Sequence, residues 1–168
     1  MPPPLAPQVV QADTTPVTYV RVVVHTLGAA GPNTSDNHWS IYLIHPDGVS
    51  STRINMRAEF EDPTGILEWT KLGYTQTTSA IGYWDFQVVA RISVSYIAHL
   101  IYNRRRDRYK MSGGGSGCRW WVYTIMSDMA QSNYVHASAP NEIWPNLLYL
   151  YHRNKERRPL QMVQGMFY

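Results

Sequence analysis

Three residue types that together perform acyl transfer stand far apart in this chain: an imidazole at His38, an amide at Asn55 and a thiol at Cys118. Cys118 is the only cysteine, and it follows the small residues of "SGGGSGCRWWVYTIM" (residues 112–126). Positions 118, 121, 122, 125, 126 and 129 (Cys, Trp, Val, Ile, Met, Met) fall at i, i+3, i+4, i+7, i+8 and i+11, which predicts an amphipathic helix with Cys118 in its first turn. A thiol there has its thiolate favoured by the helix dipole and by unpaired N–H groups, and the same groups stabilise an oxyanion. Gly113, Gly114, Gly115 and Gly117 let a substrate backbone approach closely. No Gly-Lys-Ser/Thr follows them, so they are not a phosphate loop.

The histidine lies in "HWSIYLI" (residues 38–44), where alternation puts Trp39, Ile41 and Leu43 on one face and His38, Ser40 and Tyr42 on the other. The first face reads as core, and the second as the polar-aromatic lining of a half-open site. The return strand is "VSSTRINM" (residues 49–56), and the turn between them sets its register. With Asp47-Gly48 as a two-residue turn, 44 pairs with 51 and 40 with 55, leaving Asn55 diagonal to His38 on the same face. A four-residue loop over 45–48 puts the two directly opposite, and only an odd loop separates them. A histidine beside an amide oxygen is held in one tautomer, as a general base requires.

These groups must be positioned by a modest set of elements. Residues 1–15 are rich in Pro, Gln and Thr and are expected to be a flexible tail. Strands are predicted over 17–27, 38–44, 49–56 and 81–92, with loop at 28–37 and a mixed hairpin region at 57–80. "SVSYIAHLIYNRRR" begins with serine caps and carries an apolar helical stripe. A last helix is expected within 140–153, and "LQMVQGMFY" as a strand closing the sheet. The fold class is α+β: an antiparallel sheet packed against helices, with residues 16–168 as a single domain.

Bulk composition supports this. At 168 residues, 44% hydrophobic and 16% charged, the chain is globular and long enough for one proper core. Twelve tyrosines and six tryptophans point to an amphipathic pocket besides the core. One cysteine forms no internal disulfide, and "MPPPLAPQ" lacks the pattern of a signal peptide, so a cytoplasmic location is expected. No apolar run is long enough for a membrane anchor. The basic clusters at 104–108 and 153–158 follow apolar helical stretches, where cations offset helix dipoles. With no nucleic-acid motif beside them, no nucleic-acid partner is expected. The six histidines show no ligand spacing, so neither metal nor cofactor is expected.

"NHWSIYL", a return strand ending "RINM" and a late "GC" opening an aromatic helix resemble the circularly permuted papain-like fold of lecithin retinol acyltransferase-like proteins. The pattern over residues 17–135 also resembles a fungal family sharing "HWSIYL" and "GCRxW". The resemblance implies Cys118 as nucleophile, His38 as base and Asn55 as the residue that orients it. The acyltransferases carry histidine where Asn55 stands, and Asn-Cys-Glu-His where this chain has Gly-Cys-Arg-Trp. Ser40, Tyr42, Trp39, Gly117, Trp120 and Trp121 are the candidate substrate-binding residues. Three readings follow: a cysteine acyl-transfer enzyme acting on a small-molecule, acyl or peptidyl substrate by hydrolysis, transfer or cyclisation; a non-catalytic binding module using the same pocket; and a basic scaffold for nucleic acid or protein.

Overall fold

The computed structural model describes residues 2–29, 35–59, 61–112, 118–154 and 156–168. β-Branched and aromatic runs form a five-stranded sheet from β1 (Tyr19–Ala29), β2 (Ser35–Ile44), β3 (Ser51–Ala58), β4 (Gly65–Leu72) and β5 (Ala80–Gln87). The spatial order is β4-β3-β2-β1-β5, and every neighbouring pair is antiparallel. The class is α+β in a single domain, as expected. β2 begins at Ser35, so part of the stretch read as loop at 28–37 is strand.

Strand alternation sorts the side chains. Val20, Val22, Val24, Trp39, Ile41, Leu43, Ile54 and Met56 share one sheet face and are buried. Onto that face pack α2 (Val94–Asn103) and α3 (Cys118–Gln131). In α3 every residue of the sequence stripe is buried, and Arg119 and Asp128 are buried besides. In α2 the stripe Val94, Ile97, Ala98 and Ile101 is buried, while Tyr102 is half-buried and its hydroxyl accepts from Trp69 Nε1 at 3.0 Å. Ser93 precedes α2 without capping it through its side chain; its hydroxyl lies 2.5 Å from that of Ser95.

The N-terminal segment is not a loose tail. Residues Pro7–Gln11 form a short helix, α1, with Val10 fully buried, and the Leu5 N–H donates to the Trp69 carbonyl at 2.8 Å. Val10 in the core and Leu5 packed against it anchor the segment, which outweighs the Pro-rich composition. The arginines at 104 and 106 are likewise structural: both pair with Asp128, whose side chain is 4% exposed.

The C-terminal third also departs from expectation. The predicted last helix is one short turn, α4 (Ala139–Ile143), then a 3₁₀ segment (Trp144–Leu148). The chain turns back through β7 (Tyr149–Tyr151) and β8 (Arg157–Pro159) as a separate ribbon. The final strand, β9 (Met166–Phe167), does not join the main sheet; it pairs with β6 (Tyr109–Lys110). Before it, the Gly165 N–H donates to the Tyr109 hydroxyl at 3.1 Å, and a β-carbon on Gly165 would collide with that hydroxyl and with the Lys110 carbonyl. Gly165→Ala is therefore expected to lower stability by about 1–3 kcal/mol. Urea unfolding should show a lower midpoint at unchanged slope; an unmoved midpoint would mean that the close approach at Tyr109 relaxes without cost.

Candidate functional site

The β2–β3 hairpin sets the register of the site. The His45 N–H donates to the Ser50 carbonyl at 3.1 Å, closing a four-residue loop over 46–49, with Gly48 at φ +69°. Asp47 accepts from the N–H groups of Val49 and Ser50, both at 2.9 Å. Ile44 pairs with Ser51, which is the register expected for the tighter Asp-Gly turn. Ladder pairing of β2 with β3 runs only as far as Ile41 and Ile54. Beyond it lie His38 and Asn55, both half-buried and on the same sheet face.

His38 Nε2–H donates to Asn55 Oδ1. An amide oxygen only accepts, so the neutral ring keeps its proton on Nε2 and presents Nδ1 as the basic nitrogen. His38 is also hydrogen-bonded to the Cys118 thiol at the first residue of α3, and the Trp39 N–H points at the same sulfur. Cys118, His38 and Asn55 thus form one continuous chain of contacts, although only the helix and the hairpin are local in sequence.

The electrostatics of the pair follow from burial and from each other. Cys118 is 3% exposed. Burial pushes its thiol up, but the His38 hydrogen bond and charge, the Trp39 N–H and the Arg119 charge outweigh this and hold it below its ordinary value. Burial pulls His38 down, whereas its contacts with Cys118 and Asn55 outweigh burial and the opposing Arg53 charge, leaving the imidazole raised. The two shifts run in the directions that favour a thiolate–imidazolium pair.

Four of the expected substrate-binding residues are not open walls. Trp39 is core, stacked on Trp84 at 5.5 Å between ring centroids, and Trp121 is core, its Nε1 donating to the Arg106 carbonyl at 2.7 Å. Their side chains continue the apolar stripes that made them look like pocket aromatics. Tyr42 and Ser40 lie on the His38 face as expected, but both are buried. The reason is topological. β4 and β5 are opposite edges of the sheet, so residues 73–79 must cross four strand spacings, about 19 Å, which seven extended residues just span. This strap crosses the second face, where the Tyr74 carbonyl accepts from Ser51 and the Thr75 carbonyl from Arg21. Trp120 is half-buried and packs with Tyr123 and Trp144. Gly113, Gly114, Gly115 and Gly117 lie outside the described residues.

Two contributors escaped the sequence reading. Arg119, 1% exposed, donates to the carbonyls of Leu147, Leu160 and Gln161 at 2.5, 3.0 and 2.6 Å, fastening the C-terminal segments to the start of the Cys118 helix. His25, opposite His38 on β1, binds Ser40 Oγ at 2.6 Å and Ser79 Oγ at 3.0 Å, and its ring lies 6.1 Å from that of His38. Alternation in "VRVVVHTL" places His25 on the His38 face, and that was the available signal. Among the described residues, no group of three His, Cys, Asp or Glu is arranged to hold a metal ion, and no helix is long and apolar enough to cross a membrane.

A one-domain α+β fold with a thiol, an imidazole and an amide linked at the mouth of a splayed hairpin is the class defined here. Within that class, the model of the family described as Domain of unknown function (DUF7770) matches residues 20–168, and the chain belongs to that family. No curated protein and no solved structure matches it.

Proposed function

We propose that this protein is a cysteine-dependent acyl-transfer enzyme on a circularly permuted papain-like fold. The observation that carries the reading is the Cys118–His38–Asn55 chain, with the thiol shifted down and the imidazole up. Asn55 holds the ring so that Nδ1 takes the thiol proton. The thiolate attacks a substrate carbonyl, and unpaired N–H groups in the first turn of α3 stabilise the oxyanion. His38 returns its proton to the leaving group as that bond breaks, leaving a thioester on Cys118. Water, an amine or a carbon nucleophile then resolves it, giving hydrolysis, transfer or cyclisation.

The test is direct. Aryl thioesters and activated amides are offered, and the intact mass is recorded after rapid quenching. The expected result is an acyl adduct on Cys118, with turnover abolished in Cys118→Ser. Wild-type protein giving neither adduct nor turnover would sink the proposal. The 3% exposure of Cys118 favours one second reading, a binding module that uses the enclosed site without chemistry; it predicts unchanged ligand affinity in Cys118→Ala. The basic-scaffold reading is weakened because Arg104 and Arg106 are engaged with Asp128. For the same reason, alanine at 104–106 would strip a buried carboxylate of its partners and is no clean test of a surface role.

A further inference from the structure

The arginines of the second sheet face differ in one respect. Arg21 is paired with Asp85, and Arg57 with Glu59 and Glu68. Arg53 is in no ion pair among the described residues, and its Nε is buried without an acceptor. Leaving a guanidinium N–H unanswered in a desolvated place is costly, so a position that keeps one invites an acceptor from outside.

The register says what that acceptor would face. Arg53 is directly opposite Tyr42, whose fully buried hydroxyl lies against the Arg53 and Ser40 side chains. Along β2, Tyr42 and His38 are two same-face steps apart, about 7 Å each, a gap that an arginine arm partly bridges. His38, His25 and Tyr42 all lie within reach of the Arg53 charge. The two carboxylates facing the same side, Asp85 and Glu68, are already held by Arg21 and Arg57. One corner of the candidate site therefore carries a cation with no carboxylate partner, backed by a buried phenol, while Arg53 itself is half-buried rather than sealed.

We infer that the Arg53 guanidinium, backed by the buried Tyr42 hydroxyl, forms an anion subsite, and that the acyl substrate of Cys118 carries a carboxylate some atoms away from its reacting carbonyl. One guanidinium fork matches the single charge and planar oxygens of a carboxylate better than a doubly charged phosphate. The inference rests on the acyl-transfer reading for the word "substrate", but the subsite is testable without turnover.

Two measurements separate the two claims. In the first, glutarate or its uncharged analogue glutaramide is used to protect Cys118 from iodoacetamide. Glutarate is expected to protect at concentrations about tenfold lower than glutaramide, an advantage lost in Arg53→Gln and kept in part by Arg53→Lys. In the second, kcat/KM is compared for the S-phenyl monothioester of glutaric acid and for its methyl ester, with the same expected preference and the same dependence on Arg53. Arg53-dependent protection without turnover of either thioester would retain the subsite and remove the acyl-transfer reading. Turnover with no preference for the free carboxylate would overturn the subsite and leave acyl transfer standing. Where there is no turnover, equal protection by glutarate and glutaramide overturns the subsite. Thermal melting of both variants shows whether a lost preference is merely lost folding; the Lys variant, which keeps the charge, decides the matter if Gln proves unstable.

Discussion

Alkylation of Cys118 by iodoacetamide at pH 6.5 is expected to be faster than that of a small free thiol, and to fall on the order of 10²-fold in His38→Ala. The wild-type advantage comes from His38 and the Trp39 N–H, which together reverse the upward push of burial. Removing the imidazole leaves burial dominant, and a buried thiol without a partner stays protonated. The pH dependence distinguishes chemistry from mere reactivity. Alkylation needs only thiolate, so its rate should climb to a plateau with an apparent midpoint below the ordinary ~8.5 of a free thiol. Acyl transfer also needs an imidazolium to protonate the leaving group. Its rate should rise on the acid side with the thiol and fall on the alkaline side above the raised His38 value, giving a bell. Asn55→Ala should narrow that bell from the alkaline side, because the lost hydrogen bond favours protonated His38. Slow alkylation at every native pH, speeding up only in denaturant, would show that Cys118 is a core residue.

The parts of this arrangement that were legible in sequence are those set by local periodicity. The α3 stripe, the alternation of β2 and the Asp-Gly turn each involve neighbours within a few residues, and together they brought His38 and Asn55 onto one face. What sequence could not show depends on how distant segments meet. Trp39 and Trp121 are apolar at the right spacing for a pocket as much as for a core; only Trp84 stacked on the first, and the Arg106 carbonyl held by the second, decide between the two. Tyr42 and Ser40 are buried because β4 and β5 are opposite edges, which forces residues 73–79 across their face. That consequence follows from strand order, which carries no short-range signal. Arg119 stands one step off the stripe, and its acceptors lie 28 to 42 positions away. The short C-terminal strands are each two or three residues long, below the length at which alternation can be read at all.

Acid should weaken the fold through His25, and between pH 6.5 and 4.5 by about 2 kcal/mol. Burial, with the charges of His38 and Arg53 nearby, pushes the His25 ring down to about 3. The unfolded chain binds a proton there near 6.5, so below that pH the unfolded state holds a proton that the folded state refuses. Stability therefore falls as pH drops through this window, by up to about 1.4 kcal/mol per unit, until the folded ring itself protonates. His45, also lowered by burial, adds in the same direction, whereas His38, raised in the folded state, acts mainly above this window. The carboxylates of Asp47 and Asp62, held low by hydrogen bonds within their own loops, lose their contribution only below their ordinary value, about 4, and so leave the window clear. The His25 share is isolated by comparing urea unfolding of the wild type and His25→Gln at pH 7 and pH 4.5. Glutamine retains a hydrogen-bonding amide for Ser40 or Ser79 but does not titrate. The variant is expected to start less stable at pH 7, because one amide cannot serve both serines with the geometry of the ring. It should then lose about 2.5 kcal/mol less on acidification. Equal losses in the two proteins would mean that His25 takes up its proton in the folded state as readily as in the unfolded one. The neutral Ser40–His25–Ser79 bridge beneath His38 would then not exist in solution.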